Sequence, residues 1–110
     1  MTRDSFLRAR PWRRLDWREA DDGLCVVLRP KFGGGRIGSW LAARVTDPHY
    51  RIRLDKLGTF VWKACDGETS VSEITAQMRQ NFGSSVEPAE PRLTAYIRRM
   101  VSSRLLELRI

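Results

Sequence analysis

Apolar residues recur at helical spacing most densely between residues 54 and 65. Leu57, Phe60, Val61, Ala64 and Cys65 mark one side of a helix there, and Trp62 widens the apolar surface. A helix apolar on so many sides buries most of them, so it is expected at the centre of a small core. Asp55 is placed to cap its start, because a carboxylate accepts from backbone N–H groups two or three residues on. Asp66-Gly67 stops it, since glycine takes up the left-handed conformation that ends many helices. Ser70 followed by Glu73 reads as a capping box, so a second helix begins at once. Its core face is Val71, Ile74, Thr75, Met78 and Phe82, and Asn81 to Gly83 close it. A loop over 84–91 with two prolines leads to a third helix over about 92–103, with Leu93, Ile97, Met100 and Val101 as its core stripe. Beside that stripe runs another, Arg92, Tyr96, Arg99 and Ser103.

Ahead of the helices the pattern changes to period two. Asp21-Asp22-Gly23 is a turn signal, residues 24–29 are rich in strand formers, and Pro30 ends the strand. Asp47-Pro48 turns the chain into residues 50–54, where Tyr50, Ile52 and Leu54 face the core and Arg51 and Arg53 face out. Residues 39–45 suit a short helix capped by Ser39 or a further strand. Gly33-Gly34-Gly35 invites a phosphate-cradle reading, which fails because there is no GxxxxGK[ST] motif and no helix is expected directly at these glycines. Residues 1–22 carry six arginines with Trp12 and Trp17 among them. Pro11 and the lack of a sustained apolar period predict a basic arm rather than a core element. Residues 105–110 finish as a short strand or an extended tail. The expected architecture is α+β: a small N-terminal antiparallel sheet followed by a three-helix bundle, winged-helix-like, with an arm over 1–22 and one domain over 23–110.

Composition narrows the function. At 110 residues and 42% hydrophobic content the chain makes one domain with a real core. No run of eighteen apolar residues is present and no secretory signal pattern opens the chain, so a cytoplasmic protein without a membrane span is expected. Cys25 and Cys65 stand apart in no metal-ligand spacing and read as small buried hydrophobes of a reducing compartment. His49 is the one histidine, which supports neither a metal site nor a histidine-based triad. With no nucleophile–base signature, ligand cluster or cofactor fingerprint, no enzyme activity and no cofactor are expected. The net charge of +7 rests mainly on arginine, since only Lys31, Lys56 and Lys63 are lysines. Arginine forks onto carboxylates and phosphates, which favours an acidic peptide or a nucleic acid as partner.

Two binding functions compete. A winged-helix-like plan suggests nucleic-acid binding as the alternative, and the turn between the first two helices has the length of a helix-turn-helix corner. The second helix, however, exposes Glu73, Gln77 and Gln80 with Arg79 as its only cation, whereas a recognition helix needs cations for phosphates. The other reading is a peptide-binding module: the alternating strand over 50–54 could accept an extended peptide as an extra strand. Arg51 and Arg53 would then welcome an acidic peptide, or they keep the edge soluble by repelling other strands.

The order Leu54-Asp55, Gly58, Phe60 with Trp62, Asp66-Gly67, Ser70-Val71 and Glu73-Ile74 resembles the PqqD-like family, over roughly residues 24–108. That family includes the peptide chaperone of pyrroloquinoline quinone biosynthesis and the recognition domains of ribosomally made, post-translationally modified peptides. The resemblance implies that the leader of a precursor peptide adds to the strand formed by Tyr50, Arg51, Ile52, Arg53 and Leu54. It also implies a groove shared with the last helix, where Arg92, Tyr96 and Arg99 lie, and delivery of the peptide to a modifying enzyme, often a radical S-adenosylmethionine protein.

Overall fold

Ten short elements alternate along the chain in the computed structural model, which describes residues 1–31, 35–44 and 49–110. In order they are α1 (Arg3–Arg8), β1 (Arg10–Arg13), β2 (Asp16–Glu19), β3 (Cys25–Pro30), α2 (Gly35–Ala42), β4 (His49–Arg53), α3 (Lys56–Ala64), α4 (Val71–Phe82), α5 (Ala89–Ser102) and β5 (Leu106–Arg109). A 3-10 turn, Gly83–Val86, joins α4 to α5. The fold is mixed α and β with antiparallel pairing, as expected, but it holds two sheets rather than one. The chain divides into two compact units, Leu15–Lys56 and the combination of Met1–Arg14 with Leu57–Ile110. The division into an arm over 1–22 and a domain over 23–110 does not follow these units.

The larger unit is built on α3, α4 and α5, with the two chain ends paired. In α3, which follows Asp55 directly, Gly58, Thr59, Val61 and Trp62 are buried, and Cys65 just beyond it is too. Leu57, Phe60 and Ala64 are half-buried. The capping box at α4 is complete: Ser70 Oγ accepts from Glu73 N and Glu73 Oε1 accepts from Ser70 N. Val71, Ile74, Thr75 and Met78 are buried as the spacing predicts, and Phe82 meets Phe60 edge-on at 5.4 Å between ring centroids. Helix α5 begins three residues earlier than the prolines suggested. Pro91 stands in its first turn, where a missing N–H costs no helical bond. Leu93, Ile97 and Met100 are buried along it.

The N-terminal arm is a correction. Thr2 caps α1 by accepting from Ser5 N, and α1 buries Phe6. Ala9 and Pro11 are also buried, and β1 pairs antiparallel with β5 in the register Arg10↔Arg109 to Arg13↔Leu106. Residues 105–110 are therefore a strand and not a tail. The four residues of β1 and the single turn and a half of α1 are too short to show a period, and the strand partner of β1 lies at the far end of the chain, so local pattern could not reveal them.

Trp12 and Asp66 face each other in an isolated bridge, and Gly67 N donates to Pro11 O at 2.8 Å. Gly67 has φ +80°, and a Cβ there would stand 2.8 Å from Trp12 Cε3. Arg13 Nη1 donates to Trp62 O at 3.1 Å and Lys63 O at 2.9 Å, satisfying carbonyls at the end of α3. Asp66 Oδ1 accepts from Glu68 N and Thr69 N, and Oδ2 accepts from the Thr69 hydroxyl. Burial pushes the Asp66 carboxyl up, but these bonds outweigh it and hold the group below the usual carboxylate range.

The smaller unit is a three-stranded antiparallel sheet in the order β2-β3-β4, with α2 between β3 and β4. Gly23, at φ +82°, closes the β2–β3 hairpin, with Leu24 N donating to Asp22 Oδ1. Cys25, Val26 and Val27 on the central strand are buried. Of residues 39–45 the first four lie in α2, which begins at Gly35, the third glycine, against the expectation that no helix starts there. Ser39 is inside the helix and not at its cap. Gly33, Gly34, Val45 and the Asp47-Pro48 turn lie outside the described residues.

Three outcomes test this packing. Trp62 is fully buried, so Trp62→Ala should cost about 3–5 kcal/mol in a denaturant titration. Gly67→Ala should cost at least about 1–2 kcal/mol from its left-handed backbone alone, and more from overlap with Trp12. Because the folded Asp66 carboxyl titrates below its unfolded counterpart, its contribution is full above about pH 4 and fades as pH falls further. The gap in urea midpoint between wild type and Asp66→Asn should therefore narrow between pH 7 and pH 3.

Candidate functional site

β4 is an edge strand: among the described residues its only hydrogen-bonded strand neighbour is β3. Its register pairs Arg53 with Val26, Ile52 with Val27, Arg51 with Leu28 and Tyr50 with Arg29. Leu54 N donates to Cys25 O at 3.0 Å, which makes Leu54/Cys25 a hydrogen-bonded pair. Antiparallel pairs alternate, so Ile52/Val27 and Tyr50/Arg29 also spend their main-chain groups on β3. The N–H and C=O of Arg51 and Arg53 are then directed away from β3. The β2–β3 ladder agrees, because Ala20 N donates to Leu24 O and alternation turns Cys25, Val27 and Arg29 toward β4. His49 pairs with Pro30 in a position that requires no N–H from the proline.

The side chains of β4 depart from expectation at one point. Ile52 and Leu54 are half-buried and Arg51 and Arg53 exposed, as the alternation requires, but Tyr50 is 58% exposed rather than in a core. It shares a face with Ile52, yet it stands opposite Arg29 at the end of the sheet, where buried residues run out. The Lys31 ammonium lies 5.4 Å from its ring centroid. Leu54 falls just past the strand and has already given its N–H to Cys25. His49, by contrast, is a strand residue that the alternation omitted, because a turn signal precedes it directly.

The other predicted residues lie on α5, in the other unit. Arg92 and Arg99 are exposed, and Arg92 Nη1 donates to Ser85 O at 3.3 Å. Tyr96 is half-buried with its hydroxyl shielded from solvent, so its ring rather than its oxygen is what a ligand can meet. Arg98 on the same helix stacks over Phe6 at 4.7 Å. On α4 the single cation, Arg79, is bonded to Glu87 at 2.9 Å. That contact leaves the outer face of α4 poor in the free positive charge that phosphates need.

Elsewhere the chemistry is sparse. Among the described residues no group of three or more His, Cys, Asp or Glu could hold a metal. Cys25 and Cys65 are both buried and neither is in a disulfide. Burial pushes the Cys65 thiol up to about 12, with Arg13 pulling the other way, so it is not a nucleophile near neutral pH. No helix among the described residues is long and apolar enough to cross a membrane. Helix α2 exposes Ile37 and Trp40, at 77% and 55%, with the Arg44 guanidinium 4.2 Å from the Trp40 ring centroid.

The described residues form a small α+β domain in which β4 is the edge strand of an antiparallel sheet. The family model of Coenzyme PQQ synthesis protein D (PqqD) matches residues 45–106, more than half of the chain, and the chain belongs to that family. The matched span covers β4, α3, α4 and α5, and it begins later than the residue 24 at which the resemblance was expected to start. No curated protein and no solved structure matches the chain. Family members are non-catalytic accessory proteins that bind a precursor peptide and partner enzymes, and membership implies a peptide-binding role associated with PQQ biosynthesis.

Proposed function

We propose that this domain captures the leader segment of a ribosomally made precursor peptide by strand addition along β4 and presents it to a modifying enzyme of the radical S-adenosylmethionine type. The observation that carries the reading is the β4 edge. It lies inside the family-matched span, and its Arg53 main chain is turned away from β3. An added strand gains affinity from main-chain bonds at such an edge and selectivity from side chains on its two faces. We assign Tyr50, Arg51, Ile52 and Arg53 to the added strand; Arg92, Tyr96 and Arg99 of α5 enter as peptide contacts on the family resemblance alone. Leu54 has a positioning role, since its N–H locks the end of β4 onto β3. The domain itself performs no chemistry and carries no cofactor in this reading. A reducing cytoplasm suits its two buried cysteines, neither of which is in a disulfide.

The nucleic-acid alternative gains no support from the fold or from the comparisons. The exposed face of α4 is neutral to acidic apart from the Glu87-bound Arg79.

Titration of the isotope-labelled domain with the leader peptide of a neighbouring precursor gene should move backbone amide signals along residues 49–54. Shifts confined to α4 or to residues 1–14 would show that the peptide binds elsewhere. Arg53→Pro should abolish binding by removing the outward N–H, whereas Arg53→Leu, which keeps it, should weaken binding only a few-fold. Tyr96→Ala should weaken binding by about 1–3 kcal/mol if the ring fills a peptide pocket. An isothermal titration with each variant reads all three.

A further inference from the structure

We infer that the β4 edge selects a strand in which acidic and apolar side chains alternate. The inference rests on the strand-addition reading and goes beyond it, from the mode of binding to the sequence pattern of the peptide. Residues opposite each other in a sheet share a face. The register therefore places Arg53, Val26 and Arg18 in one row across the sheet, and Arg51, Leu28 and Asp16 in the next row on that same face. The opposite face carries Ile52, Val27 and Trp17 in one row and Tyr50 with Arg29 in another. On the central strand Val26 and Val27 are both buried, so neither face of β3 is open. The exposed arginines of β4 stand at the outer margin of the sheet, where a fourth strand would be laid.

Such a strand repeats the alternation of its neighbour. Side chains two apart in the peptide lie opposite Arg51 and Arg53, whose own separation along β4 is about 7 Å. Those positions stand beside the exposed, positively charged side chains of Arg51 and Arg53 in the row direction, which favours a carboxylate at each. The intervening peptide residues fall on the other face, beside half-buried Ile52 and the exposed Tyr50 ring, where an apolar side chain covers surface that water now wets. The chemistry therefore specifies carboxylates at alternate positions with aliphatic or aromatic residues between them. A merely acidic segment gains the same long-range attraction but also places a charge against the half-buried Ile52. Arg18 lies two strands inward from Arg53 and three from an added strand, so it contributes to the field and not to the pairing.

The test uses two synthetic octapeptides of one composition, glutamate and valine strictly alternating in one and in two blocks in the other. Binding to the full chain is measured at physiological salt. The alternating peptide should bind roughly three- to ten-fold tighter, the scale of two cross-strand charge pairs. That preference should vanish in Arg51→Gln/Arg53→Gln. It should pass to an alternating lysine–valine peptide in Arg51→Glu/Arg53→Glu. Arg18→Gln should leave the ratio unchanged, and unfolding midpoints of all variants check that they remain folded. Equal affinity for the two glutamate peptides, with amide shifts along β4, overturns the pattern and leaves strand addition standing. An equal loss of preference in Arg18→Gln overturns it too, since a diffuse field would then do the selecting. Absence of binding by any of these peptides overturns both readings.

Discussion

The larger unit depends on the passage of residues 9–13 through it. In five residues the chain gives Ala9 O to Val71 N, Pro11 O to Gly67 N and the Arg13 guanidinium to the last carbonyls of α3, while β1 pairs with β5. Helix ends leave carbonyls and N–H groups without intrahelical partners, and buried ones must find them elsewhere. Here one extended segment serves the end of α3 and the start of α4 together. The turn between those helices can be tight because the Asp66 carboxylate accepts from the N–H groups of Glu68 and Thr69. Gly67 can lie under the Trp12 ring because it has no Cβ, and the Arg109 guanidinium stacks on the same ring at 4.5 Å. A residue near each chain terminus thus closes on a turn in the middle of the sequence.

This arrangement explains which parts of the fold were legible in the sequence. The core face of α4, its capping box and the buried stripe of α5 follow from helical spacing and local hydrogen bonds, so they could be read directly. The strands β1 and β2 could not, and β5 could not be told from an extended tail, because four residues carry too little alternation and pairing partners such as Arg10 and Arg109 are remote in sequence. Arginine also hides a structural role behind its charge: Arg13 reads as surface, yet it serves two backbone carbonyls. Prolines misled in the opposite direction. Pro91 signals a loop by composition, but the first turn of a helix tolerates it.

The candidate site was legible in a similar proportion. Alternation placed Arg51 and Arg53 outward and Ile52 inward, and burial agrees. Periodicity could not supply the register. The bonds from Leu54 N to Cys25 O and from Ala20 N to Leu24 O decide that the odd-numbered residues of β4 turn their main-chain groups from β3. Nor could it find the end of the core, which leaves Tyr50 wet under the Lys31 ammonium rather than packed. The pattern of one strand fixes faces; the identity of its neighbour fixes which edge is open.

An open edge is ordinarily a liability, because any unsatisfied strand can join it, a second copy of the same chain included. Arg51 and Arg53 change that balance without closing the edge. Two copies of β4 laid side by side would bring four guanidinium groups onto one strip of sheet, and like charges directly opposite are destabilising. An acidic strand meets the reverse field, and steering of that kind acts mainly on the rate of encounter and on the choice of partner. Lysine would repel as well, but its point charge lacks the planar fork that fixes a carboxylate in register. In a chain of net charge +7 the same two residues therefore act against self-pairing of the edge and, under the proposed function, favour a partner of opposite charge.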